Sequence, residues 1–290
     1  MVHWLIQNKF DYDPKVRDLM YNLTRMGVPY TRASVIPFSH DGFTFDNPDC
    51  VTKAELDNHH ALTIANIKNQ HFVNSLDELK DKRIFTYGSY TMANIASKHF
   101  TPGAFVSPMI SMTHLTDNYG KEMLNHDMVV GAVKDINPYM DMFFIRPVED
   151  TKSIVGAEYT KVYFNEWKQK ILDASREHPD NYATVTPDTL ICIAPCKQID
   201  AEFRCFVVNG KVATASQYRM NKLPHFTPHV DSYIIDYVND IVKVWQPDNA
   251  FVLDIALCGE KLSVIEANCI NSSGLYEIDL QKWIIAVDEL

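Results

Sequence analysis

The chain has 290 residues, 46% hydrophobic and 22% charged, with 14 prolines and 10 glycines; this composition excludes a collagen, a coiled coil and a disordered tail, and the length buries a sizeable core without disulfides or a structural metal. Its 27 basic against 37 acidic residues leave a formal charge of -10. That argues against a plain nucleic-acid or anionic-membrane binder, whose phosphate contacts need a Lys/Arg surplus, but leaves room for a local basic pocket that holds a nucleotide.

From the N-terminus, HWLIQ (3–7) reads as a strand. The spacing of Val16, Leu19, Met20, Leu23 and Met26 predicts a helix over Asp13–Met26, with Asp13 and Pro14 as N-cap and first helical residue and Gly27 as its end. A strand is expected at Tyr30–Pro37, then a short helix at LDELKDK, a strand at RIFTYGS and a helix at TMANIASKHF. Strand–helix–strand order is how an α/β domain begins. His59 and His60 read as solvated residues at a polar helix start. TPGAFVSP (101–108) is rich in Pro and Gly and reads as a linker, so the domain boundary is placed there, with residues 1–100 on one side and 101–290 on the other.

The second part is richer in alternating strands: MFFIRPV, AEFRCFVVNGKVATASQYR, FVLDIAL and KLSVIEAN. Asn209-Gly210 between two strand-like runs is the strongest hairpin signal in the chain. Helices are expected at Tyr163–Arg176 and Ser232–Val244, and LPHFTPHV, which carries His225 and His229, reads as a loop. No apolar run approaches the roughly 18 residues of a spanning helix, and the N-terminal segment lacks the pattern of a signal peptide. The six cysteines are too sparse for a disulfide scaffold, which points to a reducing cytoplasm, and the lone C-x3-C of Cys192 and Cys196 has no second pair to complete a zinc site. There is no Walker P-loop, G-x-G-x-x-G, G-x-S-x-G, H-E-x-x-H or EF-hand loop.

The chemistry concentrates in the last part of the chain. Asp254 lies in FVLDIAL; Glu266 and Asn268 lie in IEAN, two apart and therefore on one face of a strand. A turn at Gly259-Glu260-Lys261 pairs the two strands as a hairpin, so Asp254 can face both. Two carboxylates and an amide oxygen are hard ligands of the kind Mg2+ takes alongside phosphates. The alternative is a pair of edge-strand acids facing solvent, and spacing alone does not choose between them. Glu202 and Arg204 share one face of a strand, Arg219 lies on the returning strand, and Arg146 precedes a polar loop carrying Lys152 and Gly156. Such cations suit phosphate oxygens; each alone also fits an ordinary surface charge.

In this order (strand-Arg-Pro, Lys loop, ICIAPCKQI, E-x-R-x-F-V, S-Q-Y-R, D-x-A, E-x-N) the residues resemble the ATP-grasp superfamily. AEFRCFVVNGKVATASQYR is similar to the corresponding strands of the ribosomal-protein glutamate ligases. FIRPVEDTKSIVG and SQYR look most like the ATP-grasp clade named for two arginines and a lysine, common in phages and bacteria. The resemblance runs from about Gly88 to Tyr276 and lies in the combination of motifs. It implies an α/β (α+β) ATP-grasp fold: residues 1–100 would form a pre-ATP-grasp domain, and 101–290 an ATP-grasp domain whose two subdomains hold ATP between them. Asp254, Glu266 and Asn268 would hold two Mg2+ ions. Arg146 and Lys152 would hold ATP phosphates, with Ala194, Pro195, Cys196 and Lys197 over the adenine and Glu202 on the nucleotide side. Arg204 and Arg219, with Lys152, would be catalytic. Arg146 stands where the superfamily usually has Lys, and the phosphate loop is thin, with Gly156 as its only glycine.

The implied activity is a carboxylate–amine ligase forming an amide or peptide bond through an acyl phosphate and releasing ADP and phosphate. The implied partners are small-molecule, peptide or protein carboxylates and amines, in a bacterial or phage-infected cytoplasm. A kinase of the same fold and a non-catalytic nucleotide-binding protein are the alternatives. Asn271, Ser272, Ser273 and Gly274, just after the acidic strand, either shape an acceptor pocket or close the sheet as a polar turn, and Tyr276 is equally open. The oligomeric state is left open; related ligases are often dimers or tetramers, so a homo-oligomer fits.

Overall fold

The computed structural model describes residues 1–8, 13–36, 42–45, 70–100, 103–149, 154–178 and 184–290. The N-terminal unit begins with β1 (His3–Gln7), α1 (Pro14–Arg25) and β2 (Tyr30–Val35). Helix α1 forms where the apolar spacing predicts it: Val16, Leu19, Met20 and Leu23 are buried, and Asp13 accepts a hydrogen bond from the Lys15 amide at 2.9 Å as N-cap. Gly27 follows at φ +71°, a left-handed exit that costs glycine nothing. After β3 (Phe43–Phe45) and a 3₁₀ turn at Leu76–Leu79 come β4 (Ile84–Tyr87) and α2 (Tyr90–Ala96). The sheet order is β3-β2-β1-β4, with β1 parallel to both β2 and β4.

Helix α3 (Met112–Tyr119) follows the linker. A four-stranded antiparallel sheet then forms from β5 (Val129–Ala132), β6 (Met142–Pro147), β7 (Ala157–Thr160) and β8 (Leu190–Pro195), in the order β5-β8-β6-β7. Helix α4 (Lys161–Glu177) packs beneath it through Phe164, whose ring meets Phe143 at 5.5 Å. The third sheet is built from β9 (Ala201–Val208), β10 (Lys211–Met220), β11 (Leu223–Thr227), β12 (Ala250–Cys258) and β13 (Lys261–Cys269). Its order is β11-β10-β9-β12-β13, all antiparallel. Helix α5 (Ser232–Val244) covers one face.

Asn209 (φ +48°) and Gly210 (φ +74°) close the β9–β10 hairpin, the left-handed pair that an Asn-Gly turn accommodates. LPHFTPHV is not a loop throughout: Leu223–Thr227 is the edge strand β11. Asn221 (φ +48°) and Lys222 (φ +66°) make a second tight turn without any glycine, so it carries no Asn-Gly signal. Pro224 sits in β11 without difficulty because an edge strand has amides to spare.

Helix α6 (Leu280–Val287), at the C-terminus, returns to the N-terminal sheet. Trp283 is fully buried there, with ring centroids 5.0 Å from Trp4, 5.4 Å from Tyr87 and 5.2 Å from Phe206. One apolar core therefore joins β1, β4 and α1 to β9, β12 and α6. Among the described residues no helix is long and apolar enough to cross a membrane.

Candidate active site

The four-stranded and five-stranded sheets are joined by residues 196–200, between β8 and β9, and a cavity of about 760 Å³ lies between them. Strand pairing builds its floor. Arg204 on β9 stands opposite Asp254 on β12, which stands opposite Glu266 on β13, so one row crosses three strands. Opposed residues in antiparallel strands project from the same face. Arg204 holds Asp254 in a two-point contact, Nε to Oδ1 at 2.9 Å and Nη2 to Oδ2 at 2.7 Å. The Asn268 amide donates to Asp254 Oδ2 at 3.3 Å and to Glu266 Oε1 at 3.1 Å. From the other wall, Arg146 of β6 reaches Glu266 at 2.5 Å.

Asp254 is buried and Glu266 half-buried, and their neighbours push the two carboxyls apart. Burial raises the Asp254 carboxyl, and the nearby Glu266 adds to the rise, against the lowering pull of Arg204. Burial also works against the Glu266 charge, but Arg146, the Asn268 amide and Arg204 together hold its carboxyl below the usual value.

A second group lies one step along the sheet. Glu202 accepts from the Tyr218 hydroxyl at 2.6 Å and from Arg219 at 3.0 Å. Both reach it because β10 is irregular between Gln217 and Arg219, which spoils simple alternation and brings Tyr218 and Arg219 to the cleft together. Burial and the Asp254 and Glu202 carboxylates raise the Tyr218 hydroxyl, keeping it protonated and donating. Tyr276, at φ +45°, stacks on Tyr218 at 5.0 Å and 12°, and the Arg204 guanidinium lies 4.8 Å over its ring.

The structure brings Arg146, Pro195, Cys196, Lys197, Glu202, Arg204, Arg219, Asp254, Glu266 and Asn268 to this cavity. Ala194 is buried within β8 and does not line it. Lys152 lies outside the described residues, as do His59 and His60. Gly156 packs tightly under Phe144, where an added Cβ would meet Cζ at 2.9 Å.

Of the two readings open for the segment after β13, its hydrogen bonds fit the polar turn that closes the sheet. Asn271 is fully buried, its amide donating to Thr86 O at 2.6 Å and Gly103 O at 3.0 Å while Oδ1 accepts from the Phe105 amide at 2.7 Å. With its side chain spent on backbone groups of β4 and the linker, it has nothing to offer a substrate. Ser273 donates to Cys269 O at 2.8 Å and is likewise buried, and neither Ser272 nor Gly274 lines the cavity. This stretch ties the sheet to the N-terminal unit.

The donor set fits a divalent cation. A buried and a half-buried carboxylate converge on the Asn268 amide, and turning that amide presents an oxygen in place of its N–H. Among the described residues no group of three His, Cys, Asp or Glu side chains gathers to hold a metal, so phosphate oxygens would have to complete the shell. Sequence reading passed over Tyr218, because strict alternation next to Arg219 would point it away, and Lys222 and Glu158, which form an ion pair at 2.7 Å at the cleft.

Residues 124–285, more than half of the chain, match the model of an ATP-grasp domain, family 2 of the R-two-K clade. The chain belongs to this family. Solved structures of synthetases and a ligase share its fold. D-cycloserine synthetase DcsG superposes with a TM-score of 0.59 at 10% identity, over 100% of this chain and 99% of that one. The D-alanine-D-alanine ligase from Coxiella burnetii gives 0.54 at 11% identity, over 99% and 91%. N5-carboxyaminoimidazole synthetase from Staphylococcus aureus, complexed with ADP, gives 0.55 at 11% identity, over 99% and 76%. No curated protein matches by sequence.

Proposed function

We propose that this ATP-grasp protein is an ATP-dependent ligase that joins a carboxylate to an amine in the cytoplasm. A substrate carboxylate oxygen attacks the γ-phosphorus of ATP, the bond to the β-phosphate oxygen breaks, and ADP and an acyl phosphate result. The amine then attacks the acyl carbon and phosphate leaves. Mg2+, two ions on this reading, would neutralise phosphate charge where Asp254, Glu266 and Asn268 converge. Arg146 takes phosphate oxygens once it leaves Glu266, and Arg204 and Arg219 stabilise the charge on the group in transfer. The backbone of Pro195, Cys196 and Lys197 reads the adenine edge, without the buried Ala194, and Glu202, held by Tyr218 and Arg219, faces the nucleotide. Lys152 would join Arg146 on the phosphates. Residues 1–100 act as the pre-ATP-grasp domain and 101–290 as the ATP-grasp domain, sharing the core around Trp283.

One observation carries this reading: the Arg204–Asp254–Glu266 row, capped by Asn268 and faced by Arg146, in a cavity between two sheets of an ATP-grasp protein. The test is ADP and phosphate release over a panel of carboxylates and amines, for wild type and Glu266→Ala. Removing one of two acidic ligands is expected to lower turnover by at least about a thousandfold with the fold intact. Near-wild-type turnover in the variant would exclude the assignment.

A further inference from the structure

Arg204 and Arg219 are each held in two ways. A carboxylate grips each of them: Asp254 takes Arg204 through Nε and Nη2, and Glu202 takes Arg219 at 3.0 Å. An aromatic ring lies against each as well. The Arg204 guanidinium is 4.8 Å from the centre of the Tyr276 ring and 5.5 Å from that of Tyr218. The Arg219 guanidinium is 5.8 Å from the centre of the Tyr218 ring. The two kinds of hold differ in what they leave behind. A carboxylate cancels the charge it grips, and here it is wanted elsewhere, Asp254 by the metal and Glu202 by the nucleotide. A ring face attracts a guanidinium through its quadrupole and leaves the positive charge free to act.

The packing around Tyr276 fixes its ring. It stacks on Tyr218 at 5.0 Å and 12°, and Phe226 of the edge strand β11 stacks on it at 5.4 Å and 22°. The stack therefore runs from the buried Tyr218 at the cleft to the exposed Phe226 at the sheet edge. Tyr276 also carries φ +45°, which a bulky side chain adopts only where its surroundings enforce it. Gly274, two residues earlier, lies against both partners: a Cβ there would meet Arg204 Nη1 at 3.5 Å and Tyr276 Cζ at 3.6 Å. Tyr276 itself lines the cavity.

We infer that Tyr276 is a positioning residue for phosphoryl transfer: its ring, backed by Tyr218 and Phe226, keeps Arg204 aimed into the cleft once Asp254 turns to the metal. This rests on the ligase reading above and deepens it. Without ligand, the two-point contact with Asp254 holds Arg204, and the ring is a second anchor. With nucleotide and Mg2+ bound, the ring becomes the anchor that neither competes for the metal nor neutralises the guanidinium. Tyr276 then matters little to the binding of ADP and much to the group beyond the β-phosphate, where Arg204 acts.

The test is isothermal calorimetry on the full chain in Mg2+, with ADP alone and with ADP plus fluoroaluminate, a mimic of the phosphoryl group in transfer. Wild type is expected to hold the fluoroaluminate complex more tightly than ADP. Tyr276→Leu is expected to bind ADP as wild type does and to lose about tenfold on the fluoroaluminate complex, the size of a partly desolvated cation–π contact. Tyr276→Phe keeps the ring and is expected to match wild type on both. An equal loss on both ligands in Tyr276→Leu would make the residue a structural part only and overturn the inference. So would an undiminished fluoroaluminate complex in Tyr276→Leu, or a Tyr276→Phe that behaves like Tyr276→Leu. A wild type that binds ADP but gains nothing from fluoroaluminate contradicts the positioning role alone, whereas a wild type that does not bind ADP contradicts the ligase reading itself.

Discussion

His3 opens β1 with 3% of its surface exposed and its Nε2 paired with Thr31 Oγ1 at 2.9 Å. Burial, helped by Lys82 and His71, lowers its pKa from 6.5 to about 3. The unfolded chain therefore binds a proton that the folded chain refuses between those values. Stability is full above pH 6.5 and falls with acidification, by up to about 1.4 kcal/mol per pH unit from this one group. His3→Gln, which keeps a partner for Thr31, is predicted to flatten urea-unfolding stability between pH 6.5 and 5; an unchanged slope would remove His3 as the cause. Asn271 makes a separate prediction. Asn271→Ala removes a partner from the Phe105 amide and the Thr86 carbonyl, while the Gly103 carbonyl keeps the Thr86 amide, and is expected to cost about 3 kcal/mol in urea-unfolding stability. A loss below about 1 kcal/mol would mean water replaces those bonds. Much of the residue pattern was legible in the sequence: alternation puts Glu202 with Arg204 and Glu266 with Asn268. Tyr218 was not, since the irregular pairing in β10 comes from tertiary packing that a period-two reading cannot see. Nor was Asn271, whose partners lie 166 to 185 residues away.

At the scale of elements, α1, α5 and the β9–β10 hairpin announce themselves through apolar spacing, capping and Asn-Gly. Strand β11 and helix α6 do not. The first follows a turn with Lys222 in a left-handed conformation, and the second is eight residues long with an apolar stretch that period alone cannot assign. Yet α6 ties the two parts of the molecule together. Trp283→Ala is predicted to destabilise by about 3–5 kcal/mol, the range for emptying a large aromatic site. Because Trp283 touches Trp4, Phe85 and Tyr87 of the first sheet and Phe206 of β9, both should loosen together. Hydrogen exchange should rise in β1, β4 and β9 at once; a rise confined to α6 would show that the helix is an appendage.

For the whole molecule, a net charge of -10 coexists with a cleft in which almost every charge is matched. Arg146 and Glu266 bridge the two walls at 2.5 Å, as do Lys222 and Glu158 at 2.7 Å. A nucleotide with Mg2+ would exchange those pairs for phosphate and metal contacts. Neither contribution suffices alone: ATP without the cation brings phosphates against Asp254 and Glu266, and the cation without ATP lacks half its shell. The decisive measurement is thermal unfolding of wild type and Glu266→Ala with ATP alone, Mg2+ alone and both. Ligand at about a hundred times its dissociation constant adds roughly 2.7 kcal/mol, a rise of several degrees for a chain of this size. The predicted result is a shift in wild type only when ATP and Mg2+ are present together, and none in the variant. An equal shift in both proteins would contradict the place given to Glu266, and no shift in either would contradict nucleotide binding in this cleft.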